Sequence, residues 1–106
     1  MKHPVTQGDI LRISSIKYPM LVISNDYFNR ASAVIACPIL NSEPDGPLHI
    51  AVESDIVSGT VFCEQLRFFD LGKRSFHILG RLGYFDTIEI ADAVQGIFDY
   101  HEGLIS

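Results

Sequence analysis

The charged and amide side chains of Glu64, Gln65 and Arg67 interrupt a segment that otherwise has the composition of a buried strand. An apolar run at residues 61–63 precedes them, and a turn sequence at residues 70–72 follows. A carboxylate can act as a general base, and a guanidinium can stabilise the charge of a phosphate. The same groups can instead form a structural network, in which Glu64 pairs with Arg67 and Gln65 bonds to the backbone, because a buried polar group without a partner costs roughly 1 to 3 kcal/mol. The residue types alone leave both interpretations open.

The basic and aromatic side chains are the other candidates for binding chemistry. Lys and Arg number 8 against 13 Asp and Glu, and the net charge of −5 has the wrong sign for a protein that covers phosphate backbones. A nucleic-acid site would therefore be a local basic patch, with aromatic side chains stacked on bases. The alternatives are a solvated basic face and aromatic side chains that pack in the core. The candidate cations are Arg12, Lys17, Arg30, Arg67, Lys73, Arg74 and Arg81, and the candidate stacking residues are Tyr18, Tyr27, Phe28 and Phe68.

Sequence motifs for cofactor or metal chemistry are absent from the chain. It contains no glycine-rich phosphate loop, no HExxH, no CxxC and no nucleophile elbow. The four histidines, His3, His49, His77 and His101, do not have the spacing of metal ligands. We therefore expect no cofactor and no metal.

The two cysteines, Cys37 and Cys63, each lie inside an apolar run, which is typical of small core residues. The sequence has neither a secretory signal nor an apolar run of about 18 residues. These features predict a cytoplasmic protein with reduced thiols and no membrane span.

The length of 106 residues and the hydrophobic content of 47% predict one domain over residues 1–106. Short apolar runs predict about six strands, at residues 10–13, 20–23, 33–37 and 48–53, in the segment that starts at residue 59, and at residues 75–82. Pro38 favours an edge or a bulge, Gly80 is a candidate bulge, and the sequence NSEPDGP at residues 41–47 indicates a flexible loop.

The last segment changes to helical periodicity. Asp86 can cap a helix and Glu89 stands in the capping-box position, so the pattern predicts a helix over residues 86–102 that ends near Gly103. One predicted face is apolar, with Ile90, Val94, Ile97, Phe98 and His101, and the opposite face is polar, with Glu89, Asp92, Gln95 and Asp99. About six strands and one helix predict a mainly β protein, a small curled sheet or barrel with the helix across it.

The order of several short blocks resembles the MazF/PemK family of toxin endoribonucleases. These blocks are GDI at residues 8–10, PMLVISND at residues 19–26, residues 34–38 and, above all, EQLRFFD at residues 64–70. The resemblance spans the whole chain. It implies an SH3-like small barrel of five to seven strands with a C-terminal α-helix, a homodimer, and an antitoxin that occupies the RNA groove. It also implies metal-independent cleavage of single-stranded RNA, in which the ribose 2′-hydroxyl attacks the adjacent phosphate.

The resemblance also implies roles for individual residues. Glu64 would be the base, and Lys17 or Arg67 would stabilise the phosphate. Tyr18, preceded by Lys17, stands where members of the family typically carry an arginine before the proline of the second strand. Leu40 replaces the threonine expected after the third strand, with Asn41 and Ser42 nearby. The residues expected to bind RNA are Arg12, Tyr18, Asn41, Ser42, Lys73, Arg74 and Arg81.

Two functions from different classes follow from these observations. The first is a toxin endoribonuclease that inhibits growth as half of a toxin-antitoxin pair. The second is a barrel without full catalysis, which acts as a protein- or peptide-binding regulatory module; the acidic charge balance and the missing arginine favour it. In both cases, a small barrel with aromatic residues among its loops is expected to leave an apolar surface that a second copy covers.

Overall fold

The computed structural model describes residues 5–99, which form seven strands and two helices. The strands are β1 (Asp9–Ile13), β2 (Met20–Val22), β3 (Ala33–Leu40), β4 (His49–Glu53), β5 (Ser58–Phe62), β6 (Arg67–Asp70) and β7 (Phe76–Arg81), and the helices are α1 (Asp26–Asn29) and α2 (Tyr84–Phe98). Every strand pairing is antiparallel. The predicted mainly β chain with a C-terminal helix is confirmed, and the strand number lies within the expected five to seven.

The strand β3 belongs to both halves of the sheet. One half runs β7-β1-β2-β3-β6, and the other runs β3-β5-β4. The first part of β3, up to Ala36, pairs with β6, and its last two residues, Ile39 and Leu40, pair with β5. The sheet therefore folds over at β3, and the link between β5 and β6 forms the corner.

Pro38 lies inside β3, which continues to Leu40 and is three residues longer than the predicted strand. Ile39 donates its N–H to the carbonyl of Pro19, on the side of β2. Because successive residues of a strand alternate, the nitrogen of Pro38 faces the opposite side, where pairing with β6 has ended and pairing with β5 begins. The missing N–H of proline leaves no ladder bond unmade there, so the proline accompanies a change of partner within the strand.

Two apolar clusters cover the two faces of the sheet. Neighbouring residues of β1 point to opposite faces, so Ile10 packs in one cluster and Leu11 in the other. The first cluster also contains Leu21, Cys37 and Val61 and is covered by Ile90 and Val94 of α2. The second cluster is built around the ring of Phe69, with Ile13, Met20, Val22 and Val34.

A bulge in β7 lets the hairpin β4–β5 reach the far end of the sheet. Ile10 faces Gly80 and Leu11 faces Ile78, so Leu79 is the extra residue, as expected of a bulge near Gly80. A Cβ atom on Gly80 would lie 1.9 Å from Cδ1 of Ile56, which belongs to the turn of the hairpin. Only a glycine permits this approach. The contact brings the two ends of the strand order together.

The helix α2 begins at Tyr84, with Gly83 as the N-cap. The prediction that Asp86 caps the helix is therefore wrong. Asp86 lies in the first turn, where its negative charge interacts favourably with the positive end of the helix dipole. Thr87 donates its hydroxyl to the carbonyl of Gly83 at 2.9 Å. Of the predicted apolar face, Ile90 and Val94 are buried, whereas Ile97 and Phe98 are exposed and His101 lies outside the described residues. The four predicted polar positions, Glu89, Asp92, Gln95 and Asp99, are exposed as expected.

The helix ends at Phe98, with Asp99 in an extended conformation as the C-cap, so the predicted end at residue 102 is wrong. Gly103, the predicted stop, lies outside the described residues. Within residues 5–99, neither helix has the length and apolar character needed to cross a membrane.

Candidate functional site

Glu64 lies in the corner where the two halves of the sheet meet. It follows β5, in the short link at residues 63–66 that leads into β6. The link is anchored at both sides, because the N–H of Cys63 donates to the carbonyl of Leu48 at 2.9 Å and the N–H of Gln65 donates to that of Phe62 at 3.1 Å. Glu64 and Gln65 are exposed. The fold therefore presents a carboxylate to solvent from a rigid strand end.

The imidazole of His49 contacts this carboxylate from the neighbouring strand β4. Nε2 of His49 lies 3.0 Å from Oε2 of Glu64. His49 and Phe62 are register partners, and their rings stack with centroids 3.8 Å apart and planes 18° apart. The other ring nitrogen, Nδ1, is buried and has no hydrogen-bond partner among residues 5–99. His49 is thus held on two sides and offers one nitrogen to Glu64.

The hydrogen bond from His49 holds the pKa of Glu64 below its ordinary value, against a smaller opposing effect of burial. The carboxylate is therefore ionised at neutral pH. The expected structural network is wrong in its partner, because Glu64 pairs with His49 and no ion pair joins it to Arg67 among the described residues.

The sequence interpretation missed His49. It considered this residue only as one of four histidines without the spacing of metal ligands and gave it no role in the site. If the predicted strand at residues 48–53 and the next strand form a hairpin with its turn around residues 54–57, His49 lies opposite Phe62, two residues from Glu64. Hairpin register, and not spacing along the chain, is the signal that could have found it.

The ring of Phe69 holds two guanidinium groups on the second face of the sheet. Cζ of Arg67 lies 5.0 Å from the centre of this buried ring, and Cζ of Arg74 lies 5.4 Å from it. Arg74 also donates to the carbonyl of Ser14 at 3.4 Å. Lys73 lies beside it and lines the same shallow groove. Arg67, Lys73 and Arg74 are exposed and form no ion pair within residues 5–99. Three of the predicted cations are therefore available to a ligand.

Arg12, Lys17 and Tyr18 lie together around the turn that leads into β2. Arg12 donates to the carbonyl of Lys17 at 3.1 Å, and Nζ of Lys17 lies 5.4 Å from the centre of the Tyr18 ring. All three side chains are exposed. The structure thus brings these predicted residues together, although no described contact joins Lys17 to Glu64.

Asn41 and Ser42 occupy an exposed, polar groove after β3, together with Glu43 and Glu53. Thr60 donates its hydroxyl to the carbonyl of Ser42, which fixes the start of the loop. The two carboxylates give this groove the sign that repels phosphate. It differs in this respect from the surface around Arg74.

Arg81 differs from the other predicted RNA-binding residues because its guanidinium pairs with a carboxylate. Its Nε donates to Oδ1 of Asp9 at 3.2 Å, and its Nη2 donates to the hydroxyl of Thr6. Asp9 is only 4% exposed, so this ion pair neutralises a buried carboxylate.

The two thiols lie near the corner but are poorly reactive at neutral pH. Burial raises the pKa of Cys37 to about 12 and that of Cys63 to about 11. Both are free and protonated at neutral pH, and a thiol in that state is a poor nucleophile. Residues 5–99 contain no group of three or more His, Cys, Asp or Glu side chains that could hold a metal ion.

Solved structures share this fold. A chain of a MazE-MazF complex from Deinococcus radiodurans superposes with a TM-score of 0.81 at 19% identity, over 92% of this chain and 98% of that one. An endoribonuclease from a mycobacterial species gives 0.78 at 19% identity, over 91% and 92%. The same kind of enzyme in complex with its cognate antitoxin gives 0.77 at 20% identity, over 89% and 94%. At sequence identities this low, the similarity shows a shared fold only.

The comparison with protein families is more specific. No curated protein matches the chain. Residues 13–98, however, match the family described as "PemK-like, MazF-like toxin of type II toxin-antitoxin system". This match covers most of the chain, including β2 to α2 and the corner that carries Glu64. The chain therefore belongs to the PemK-like, MazF-like family of type II toxin-antitoxin toxins.

Proposed function

We propose that this protein is an endoribonuclease toxin that cleaves single-stranded RNA without a metal and inhibits growth until an antitoxin binds it. The observation that carries the proposal is the ionised, exposed carboxylate of Glu64, held by His49 at a rigid strand corner. Exposed cations that form no ion pair within residues 5–99, among them Arg67 and Arg74, provide electrostatic attraction for RNA despite the net negative charge.

The reaction needs a base, an acid and a cation. Glu64 takes the proton of the ribose 2′-hydroxyl, and the resulting oxygen attacks the adjacent phosphorus. The bond from phosphorus to the 5′-oxygen then breaks, and that oxygen takes a proton from water and leaves as a hydroxyl. The products are a 2′,3′-cyclic phosphate and a 5′-hydroxyl end. A guanidinium or ammonium, from Arg67 or Lys17, stabilises the charge that builds up on the phosphate oxygens.

Replacement of Glu64 by glutamine tests the role of the carboxylate. The change is nearly isosteric, so Glu64→Gln is expected to lower the rate of cleavage by about 10² to 10⁴, the usual contribution of a general base, while the melting temperature stays close to that of the wild type. The assay is digestion of a mixed-sequence single-stranded RNA in EDTA, with the 5′-hydroxyl ends counted. Glu89→Gln removes an exposed carboxylate on α2 and is the matched control. Equal rates for wild type and Glu64→Gln would refute the assignment.

A second candidate function rests on the acidic groove around Asn41 and Ser42. Glu43 and Glu53 line this groove, and a phosphate backbone would be repelled there. A protein- or peptide-binding module without catalysis is consistent with that sign. If the folded wild type releases no 5′-hydroxyl ends in EDTA, this module replaces the nuclease as the proposed function.

We also propose that the protein is a homodimer. Tyr27 and Phe28 of α1 and Phe68 of β6 form an exposed aromatic surface; Tyr27 is 78% exposed and Phe68 61%. The strand β6 pairs only with β3 among the described residues, so its other edge is open beside this surface. A second copy related by a twofold axis would cover both the apolar side chains and the strand edge.

The proposed antitoxin partner rests on the solved complexes. One structural neighbour is a MazE-MazF complex and another is an endoribonuclease with its cognate antitoxin. We expect the antitoxin of this chain to occupy the RNA-binding surface and to neutralise Lys73 and Arg74. The free thiols of Cys37 and Cys63 suit a reducing cytoplasm, where we place the protein. An open reading frame for a small protein directly upstream would support this pairing.

A further inference from the structure

We propose that His49 is the positioning residue of the cleavage site: its imidazole donates from Nε2 to Oε2 of Glu64 and orients this carboxylate toward the 2′-hydroxyl. The inference rests on the proposed ribonuclease function, and it extends that function to a residue on a different strand. His49 does not touch the RNA itself, because Nε2 is occupied by Glu64 and Nδ1 is buried.

The geometry restrains His49 more tightly than an ordinary surface histidine. Its backbone is in register with Phe62, its ring lies flat against the Phe62 ring, and its Nε2 meets the carboxylate at hydrogen-bond distance. The His49 side chain is 17% exposed, whereas that of Glu64 is 40% exposed. The imidazole is therefore the fixed partner, and it can hold a carboxylate that would otherwise sample several rotamers.

The burial of Nδ1 leaves Nε2 as the ring nitrogen that acts on Glu64. Nδ1 is buried and has no hydrogen-bond partner within residues 5–99, whereas Nε2 lies 3.0 Å from Oε2 of Glu64. A carboxylate only accepts hydrogen bonds, so Nε2 carries the proton and donates to Glu64.

The side chain that acts on Glu64 comes from β4: the hydrogen bond from His49 is the largest cause of the lowered pKa of Glu64, and a backbone hydrogen bond adds a smaller effect. The carboxylate of Glu64 in turn helps to raise the pKa of Cys37 on β3 and of Cys63 directly before it. Glu89 of α2 acts on Cys63. Burial raises the pKa values of Cys37 and Cys63 to about 12 and about 11, so neither thiol is charged below pH 8. The hydrogen bond from His49 is thus the main source of the lowered pKa of Glu64.

The first experiment measures this coupling without any RNA. The carboxyl carbon of Glu64 is titrated by NMR in the wild type, His49→Phe and His49→Gln, with His77→Gln as a control at an exposed histidine of β7. His49→Phe keeps the ring stack and removes the donor, so the pKa of Glu64 is expected to rise toward its ordinary value of about 4.3. His49→Gln retains an N–H donor and is expected to give an intermediate value. An unchanged pKa in His49→Phe would overturn the proposal.

The second experiment measures cleavage of mixed-sequence single-stranded RNA in EDTA between pH 3.5 and 8. A lowered pKa keeps a carboxylate ionised to lower pH, so loss of His49 should move the acidic limb of the rate profile to higher pH. At pH 7 we expect His49→Phe to be about 10- to 100-fold slower through lost orientation, with partial rescue in His49→Gln and no change in His77→Gln. A wild-type rate and profile in His49→Phe would overturn the proposal.

The two experiments separate this inference from the proposed function. If the wild type does not cleave RNA, the ribonuclease function and the role of His49 in it both fail, and the titration still decides whether His49 controls Glu64. If His49→Phe does not fold, as judged by its melting curve, the decision passes to His49→Gln against His77→Gln. The proposal is contradicted if a folded variant that lacks the imidazole keeps both the acidic limb and the Glu64 pKa of the wild type.

Discussion

Arg67 and Lys17 compete for the role of the cation beside the phosphate, and their surroundings distinguish them. Only a short link separates Arg67 from Glu64, and the ring of Phe69 holds its guanidinium. Lys17 lies on the turn before β2 and contacts Tyr18. We therefore expect Arg67 to be the cation that stabilises the phosphate.

Neutralising each cation in turn tests this choice. Arg67→Met is expected to slow cleavage by about 10² to 10³, the usual loss for one electrostatic stabiliser, and Lys17→Met by much less. An exposed cation–π contact contributes about 0.5 to 1 kcal/mol, and methionine still covers the ring, so Arg67→Met should keep its fold. Initial rates and thermal melting of both variants are compared with the wild type. A larger loss in Lys17→Met would reverse the assignment.

At the scale of single residues, the sequence predicted Glu64 but not its partner. A polar block at the end of an apolar run was enough to single out the carboxylate, because burial of a polar group without a hydrogen-bond partner is unfavourable. Its partner was expected among neighbours in the chain, at Arg67. The structure supplies His49 from the adjacent strand instead, because contacts across a sheet depend on register, which a single chain does not display directly.

Among the elements, the contact between Gly80 and the β4–β5 hairpin makes the sharpest prediction about stability. Gly80→Ala would place Cβ 1.9 Å from Cδ1 of Ile56, so the Ile56 side chain must leave its position, and we expect a loss of about 1 to 3 kcal/mol in the free energy of unfolding. Gly96→Ala, in α2 with open space around its Cα, is expected to add about 0.5 to 1 kcal/mol. Urea denaturation measures both. Recovery of stability in Gly80→Ala with Ile56→Ala would confirm the contact, and an unaltered midpoint in Gly80→Ala would contradict it.

The elements themselves were predictable where one signal dominated. Apolar runs located most strands, and the bulge near Gly80 was confirmed. The sequence interpretation did not separate β6 from the polar block. It took Pro38 as an interruption near the end of β3, whereas the strand continues to Leu40, because a proline is compatible with a strand when its neighbours leave that position unpaired. It also began α2 at Asp86, since a side-chain cap is visible in a sequence and a glycine cap is much less so.

For the whole molecule, the open edge of β6 and the aromatic surface beside it predict the mode of self-association. Light scattering at micromolar concentration should give twice the chain mass of 11.8 kDa. Phe68→Lys places a charge in the proposed interface and is expected to give a monomer. Phe85→Lys alters an equally apolar side chain, 83% exposed at the start of α2, and should remain a dimer. A monomeric wild type, or dissociation by Phe85→Lys and not by Phe68→Lys, would rule out this interface.

The pairing of β1 with β7 also affects how the protein is made. Asp9 and Arg81 are register partners and form an ion pair, although 72 residues of sequence separate them. At a synthesis rate of about 5 to 20 residues per second, β1 is synthesised roughly 4 to 14 s before its partner strand β7. During this interval one edge of β1 is unpaired and the two ends of the sheet cannot meet. Each new copy is therefore exposed to chaperones, proteases and other nascent chains before β1 has paired with β7.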